Sequence, residues 1–261
     1  MKEYKNHTFV ICAYKESEYL EECINSLKEQ TVKSNIIMCT STPNEHIRNM
    51  SDKYNIPLYI NDGIKGIGPD WNFGVEKAQT DYVTIAHQDD KYEKNYLEEM
   101  MKKAEKYPDM IFAFTDYQEI REGKIVKTNL NLKIKRLMLV PLKFFSKSKF
   151  IKKMVLSFGN PIACPSVMLN TKIVGTRPYR EDMKSNIDWG TWYDFVKYEG
   201  KFIYLSDKLT YHRVHSESET SKTIGSNKRI EEDYEMFCRF WPKTIAKFIM
   251  LFYKNAVKSN Q

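Results

Sequence analysis

The chain has 261 residues, 42% hydrophobic and 13% aromatic, which is enough to bury one substantial core and excludes both a disordered tail protein and a disulfide-stapled miniprotein. Its net charge of +7 is mild for this length but unevenly placed: residues 123–180 hold thirteen Lys and Arg and no Asp or Glu, leaving −6 on the remainder. An acidic body with a basic, apolar-rich insert points to a polyanionic partner such as a phosphate group, a nucleic acid or an anionic membrane.

In chain order, Thr8 to Ala13 reads as a buried strand, followed by helical spacing of Tyr19, Leu20, Cys23, Ile24 and Leu27 behind Ser17 as a candidate N-cap. The unit repeats. Asn35 to Cys39, Leu58 to Ile60, Tyr82 to Ala86 and Met110 to Thr115 read as strands, with helices over Asn44 to Tyr54, Asp70 to Ala78 and Asn95 to Tyr107. Strands alternating with helices predict an α/β fold with a mostly parallel sheet covered on both faces, its ligand beyond the carboxyl ends of the strands. Tyr117 to Lys127 predicts a hairpin turning at Glu122-Gly123, and Lys133 to Ser157 a partly helical basic insert broken at Pro141. A strand at Ala163 to Leu169, a helix from Asp188 to Tyr198 and strands at Phe202 to Leu205 and Lys208 to Arg213 follow. From Asn227 the chain reads as two helices split at Pro242.

Five cysteines, Cys12, Cys23, Cys39, Cys164 and Cys238, contain no Cys-x-x-Cys pair, so neither a disulfide framework nor a zinc knuckle is expected and a reducing cytosol fits. Met1 to Asn6 is charged, and no window reaches roughly 18 uninterrupted apolar residues. These features predict a cytoplasmic protein that touches a membrane surface without crossing it.

The chemistry concentrates at His87-Gln88-Asp89-Asp90, where the Tyr82 to Ala86 strand runs out. Adjacent carboxylates at a strand end are costly without compensation, and a hard divalent ion that bridges phosphates is a natural partner. A plain solvated loop is the alternative. Gly63, Gly66 and Gly68 match neither the dinucleotide fingerprint nor the Walker ending, and read as a turn that lets Asp70 and Asn72 approach a ligand.

Four segments together resemble the family 2 glycosyltransferases of the GT-A fold. They are Ala13 to Leu27 after the first strand, Asp70 to Ala78 with Asp81 to Asp90, Asp188-Trp189-Gly190-Thr191-Trp192-Tyr193, and Tyr211-His212-Arg213-Val214-His215. The resemblance covers residues 8 to 215. It implies transfer of a sugar from a nucleotide donor, usually a uridine diphosphate sugar, to an acceptor hydroxyl. It further implies that Ala13, Tyr14 and Glu16 line the uridine, that Asp89 and Asp90 hold ribose and a Mn2+ or Mg2+ ion, and that His215 is a third metal ligand.

An inverting single displacement needs one carboxylate at the acceptor hydroxyl, and Asp188 is the candidate base, with Trp189 and Trp192 as an apolar wall for the acceptor. Asp188 also reads as a helix N-cap, and Asp182 is the rival base. Two departures from the family stand out. Thr40 and Ser41 offer hydroxyls where many members read uracil with acids, and His87 replaces the first acid of the metal motif.

On a helical wheel begun by Pro242, Lys243, Lys247, Lys254 and Lys258 form one stripe opposite Ile245, Phe248, Ile249, Phe252 and Ala256. That is the pattern of an interfacial helix on anionic lipid, with packing on its own domain as the alternative. The insert over residues 132–156 repeats the chemistry, and its interleaved aliphatics argue against nucleic acid.

The expected organisation is a GT-A domain over residues 1–225, with a nucleotide-binding half over 1–116 and an acceptor half over 117–225, and a C-terminal helical extension over 226–261. The expected function is metal-dependent, inverting sugar transfer to a glycan or polyprenyl-diphosphate-linked acceptor at the inner face of the cell membrane, in bacterial surface polysaccharide biosynthesis. A catalytically silent module that binds nucleotide sugar or glycan is the alternative.

Overall fold

The computed structural model describes residues 2–215 and 227–258, with side chains placed as far as Tyr253 at the end. Four parallel strands come first: β1 (Glu3–Cys12), β2 (Lys33–Thr40), β3 (Leu58–Ile60) and β4 (Tyr82–His87), in the spatial order β3-β2-β1-β4. Their crossovers are α1 (Leu20–Lys28), α2 (Glu45–Tyr54) and α3 (Ile67–Ala78). Cys12 lies opposite both Cys39 and His87, so the carboxyl ends of β1, β2 and β4 form one level rim.

The β-strand period of two splits the core across this sheet. In β1, Val10 faces a cluster with Trp71, Val75 and Ile85, while Phe9 and Ile11 face a second cluster holding Leu20, Ile24 and Tyr96. The second cluster also takes the buried side of α4 (Tyr96–Lys106), with Leu97, Met100 and Met101.

The second half turns the sheet mixed. β6 (Met110–Arg121) and β9 (Lys201–Val214) are parallel to each other, and β8 (Val167–Asn170) sits antiparallel between β4 and β6. β5 (Lys91–Tyr92) pairs antiparallel with β9, and β7 (Lys124–Val126) with β6. The β6-β7 turn falls at Glu122 and Gly123 as predicted, with φ of 47° and 72°, the paired left-handed residues that a tight hairpin requires. Where two strands were expected near residue 205, β9 is continuous, and shifts in its register against Thr115, Asp116 and Tyr117 absorb the break.

Three other expectations are corrected. Ser17 does not cap α1: Tyr19 occupies the cap position, and the Ser17 hydroxyl accepts the Tyr19 N–H just outside the helix at 3.3 Å. β8 starts at Val167, four residues late, because Cys164–Ser166 form a 3-10 turn containing Pro165. The helix expected from Asp188 is α9 (Ile187–Phe195), whose cap position is Asn186.

The basic insert folds as α5 (Leu130–Leu139), α6 (Leu142–Phe145) and α7 (Lys149–Leu156), with the break at Pro141 as expected. Arg136 anchors it by donating to Asp116 Oδ2 at 2.5 Å and to the Tyr117 and Lys127 carbonyls. A short helix, α8 (Thr171–Val174), follows β8. The last two helices, α10 (Asn227–Phe240) and α11 (Lys243–Lys258), place Met236, Phe237, Ala246 and Met250 in the main core beside Trp189. Lys254, Ala256 and Lys258 of the expected stripe lie outside the described side chains.

Candidate active site

The acidic motif stands on the rim of the sheet, directly after β4. Asp90 is 1% exposed, and its carboxylate accepts the Arg213 N–H at 2.8 Å and faces His212 Nδ1 at 3.2 Å. Asp89 meets His215 Nε2 at 3.0 Å. His87, Asp89 and Asp90 each offer a ligand atom, all within 4.8 Å of one another. Two hard carboxylate oxygens beside imidazole nitrogen suit a divalent ion such as Mn2+ or Mg2+, so the donor set fits the expected metal.

The electrostatics follow from this crowding. Burial works to raise the Asp89 carboxyl, but the His215 hydrogen bond and the nearby His87 and His212 outweigh it, leaving Asp89 below its ordinary value. For His212, burial disfavours the charged ring while Asp90 favours it, and the balance pushes it up to about 8.

Arg213 braces this corner. Its Nε donates to the Asp89 carbonyl at 2.9 Å, its Nη2 to Glu22 Oε2, and its guanidinium lies 4.2 Å over the Tyr19 ring. Arg213 is thus paired with a local acid, Glu22. His87 stacks on Trp71, with centroids 5.1 Å apart at 20°, and its Nε2 is buried without a hydrogen-bond partner among the described residues.

The residues expected to line a donor stand at the neighbouring strand ends. Ala13 is buried and Tyr14 is half-exposed. Gln88 fixes this loop by accepting the Tyr14 N–H and donating to the Tyr14 carbonyl, both at 2.9 Å. Lys15 takes φ of 54° and donates its N–H to Thr42 Oγ1 at 2.7 Å, leaving Glu16 exposed at the rim.

Thr40 and Ser41 are both buried. Ser41 Oγ and Asn61 Nδ2 each donate to the Asp70 carboxylate at 2.7 Å, so Asp70 ties the ends of β2 and β3 to α3. Asn72 is 1% exposed and links α3 to a distant loop, donating to the Tyr179 carbonyl and accepting the Tyr179 N–H, each at 2.8 Å. Gly68 permits that approach, because a Cβ there would lie 2.1 Å from the Arg180 carbonyl oxygen.

On the opposite side Asp188 is half-buried, accepting from Asn160 Nδ2 and from the Trp189 N–H, each at 2.7 Å. Burial raises its carboxyl, against the opposing effects of the Trp189 N–H, Arg229 and His87. Asp182 behaves oppositely. It is exposed and paired with Arg180, whose hydrogen bonds hold its carboxyl below the usual value.

Trp189 and Trp192 are not an acceptor wall. Both are 0% exposed, with indole N–H groups donating inward to the Leu156 and Ile162 carbonyls. α9 is packed from both sides by α7 and the C-terminal helices, so its aromatic residues turn into the core rather than toward the site.

The support for Asp188 comes from far along the chain. Glu232, 3% exposed on α10, accepts the N–H groups of Lys184, Ser185 and Asn186 at 2.8, 2.8 and 3.1 Å, and Asp233 accepts from Asn186 Nδ2 at 2.8 Å. No local pattern around Glu232 announces this contact. Replacing Glu232 with Gln sets an amide N–H against backbone donors, and chemical denaturation should show about 1–3 kcal/mol of lost stability. An unchanged denaturation midpoint would mean that the buried carboxylate is not holding this loop.

Comparisons with known proteins agree with this geometry. The profile described as Glycosyl transferase family 2 matches residues 8–174. A curated relative, Glycosyltransferase GlyA of Streptococcus pneumoniae, is 29% identical over 122 residues, covering 45% of this chain but only 17% of its own length. The crystal structure of S. aureus TarS 1-349 superposes with a TM-score of 0.63 at 14% identity, over 96% of this chain and 69% of that one. The mannosyltransferase PcManGT from Pyrobaculum calidifontis, solved with GDP-Man and Mn2+, gives 0.62 at 13% identity, over 96% and 70%. TarS 1-349 has also been solved with UDP-GlcNAc, at 0.62 and 16% identity, over 96% and 70%. With the profile spanning most of the chain and the whole fold shared, this protein belongs to the family 2 glycosyltransferases and carries their GT-A fold.

Proposed function

We propose that the protein transfers a sugar from a nucleoside diphosphate donor, of the uridine type, with inversion at the anomeric carbon. The acceptor is a hydroxyl of a glycan or a polyprenyl-diphosphate-linked glycan in surface polysaccharide assembly. The observation that carries the reading is the pairing of two unlike carboxylate environments. Asp89 and Asp90 are crowded by imidazoles at a strand end, and Asp188, at the start of α9, has its carboxyl raised by burial. GT-A structures solved with UDP-GlcNAc and with GDP-Man and Mn2+ support the donor class.

In this mechanism the loop of Ala13, Tyr14 and Glu16 takes the base and Asp89 the ribose, while Thr40, Ser41, Asp70 and Asn72 shape the floor of the cleft. Asp188 accepts the proton of the acceptor hydroxyl as its oxygen bonds to the anomeric carbon and the bond to the diphosphate breaks. Asp89 and Asp90, with His87 or His215 completing the set, would hold Mn2+ or Mg2+, whose positive charge would offset the charge growing on the leaving diphosphate. Asn160 and the Trp189 N–H hold the Asp188 carboxylate in one orientation.

A panel of nucleotide sugars tested by thermal stabilisation, with and without Mn2+, checks the donor class. Ligand at a hundredfold excess over its dissociation constant adds about 2.7 kcal/mol, a readily measured rise in melting temperature. A uridine diphosphate sugar with Mn2+ should give the largest rise. No rise with any uridine diphosphate donor overturns the proposed donor, and binding without transfer to any acceptor marks a silent module instead.

A further inference from the structure

Among the described residues, sixteen large apolar side chains are exposed, and fourteen of them fall within residues 125–158 and 245–252. Chance scatter would not gather them into the insert and the last helix, and a patch of this extent marks a contact surface. The protruding residues are large: Phe144, Phe150, Phe248, Leu251 and Phe252 are each more than 60% exposed. The two segments adjoin. Phe158 packs on Trp241 at 5.2 Å, and a Cβ at Gly159 would touch the Tyr253 ring at 3.1 Å. In α11, Ala246 and Met250 turn into the core while Phe248 and Phe252 turn out, so core packing leaves half of its apolar side uncovered.

Lysines dominate the charge around this surface, although Glu199 pairs with Lys149 on α7 at 2.5 Å. Residues 123–180 contain no acid, and Lys133, Lys147 and Lys153 are exposed with no ion pair within 4 Å among the described residues. A separate groove of about 590 Å3 beside α1 and β5 carries the opposite sign, lined by Glu18, Glu21, Glu22, Glu29 and Glu93. No helix among the described residues is long and apolar enough to cross a membrane.

We infer that the surface formed by α5, α6, α7 and α11 seats the protein on an anionic lipid bilayer, with the phenylalanines in the headgroup boundary and the lysines beside lipid phosphates. A second copy is the poorer occupant, because a two-fold interface would press this lysine-rich face against itself. RNA would match the charge but leaves the phenylalanines without a partner. The surface ends at the catalytic cleft: Asn160, two residues after Phe158, donates to Asp188. On the transferase reading, an acceptor carried by the bilayer therefore arrives at the base along this edge.

The test is flotation of the intact protein with vesicles of phosphatidylglycerol and phosphatidylcholine in equal parts, against vesicles of phosphatidylcholine alone. Binding to the anionic vesicles, weakened at least about tenfold by high salt, is expected. The triple variant Phe144→Ser, Phe145→Ser and Phe150→Ser should lose at least about a hundredfold in vesicle affinity. It should keep its melting temperature and its donor binding in solution, which separates this inference from the transferase reading. Equal binding to neutral vesicles, no binding to either, or full affinity in the triple variant overturns it. So does a dimer in light scattering that the same variant dissolves, or RNA binding tighter than vesicle binding.

Discussion

Asp90→Asn should lower kcat/KM for sugar transfer by about a thousandfold or more and abolish calorimetric binding of Mn2+ in the presence of UDP. The amide oxygen can still accept the Arg213 N–H, so the end of β4 keeps its tie to β9 while the site loses one negative charge beside His87 and His212. The loss should therefore appear in metal binding and turnover before it appears in folding. Retention of Mn2+ affinity within twofold by Asp90→Asn, with near-normal turnover, would remove this carboxylate from the metal site and with it the electrostatic half of the mechanism.

Asp188→Asn separates chemistry from binding. Its kcat should fall by about a hundredfold to ten-thousandfold with donor affinity little changed, because the amide cannot take the acceptor proton and the hydrogen bonds of Asp188 run to Asn160 and the Trp189 N–H rather than to the strand ends proposed to hold the donor. The pH dependence follows from the sign of the shift. The folded state holds the Asp188 proton more tightly than the unfolded chain does, so stability is highest below the unfolded value and is lost as pH rises through the folded one. At neutral pH Asp188→Asn removes that cost but sets its own amide N–H against one of the two donors, Asn160 Nδ2 or the Trp189 N–H, that the two carboxylate oxygens accept, so the two effects oppose and the variant should melt close to the parent. The parent's activity should rise with pH through a value above the ordinary carboxylate range and then level off. A variant with unchanged kcat would return the base to Asp182, whose pairing with Arg180 fits it poorly for the role.

The strand ends of the first half were legible because their signals are local. A strand running out into His87-Gln88-Asp89-Asp90 places carboxylates on the rim whatever the distant partners are, and Glu122-Gly123 meets the backbone demand of its turn by itself. The second half was less legible because direction is not written in residue type. Trp189 and Trp192 sit beside a candidate base, but α7, α10 and α11 converge on α9 from up to sixty residues away and draw both rings inward. Gln88 and Glu232 were invisible for the same reason: each earns its place through partners more than forty residues distant. Asp70 and Asn72 were expected to approach a ligand, and the polar atoms they offer hold strand ends and a loop together.

The clasp of Glu232 on the loop before α9 has a consequence for the order in which the nascent chain gains competence. Synthesis delivers β1 to β4 with Asp89 and Asp90 over the first ninety residues, Asp188 about a hundred residues later, and His212, Arg213 and His215, which brace the acidic pair, later still. The three N–H groups of Lys184, Ser185 and Asn186 then wait for a carboxylate that emerges only with α10. On the proposed mechanism, both the acidic pair and the base are therefore set only by segments made after them, and the final helices close the loop that precedes the base. The last of those helices carries Phe248 and Phe252, so on the two proposals together the end of the chain would complete both the site and the lipid-facing surface.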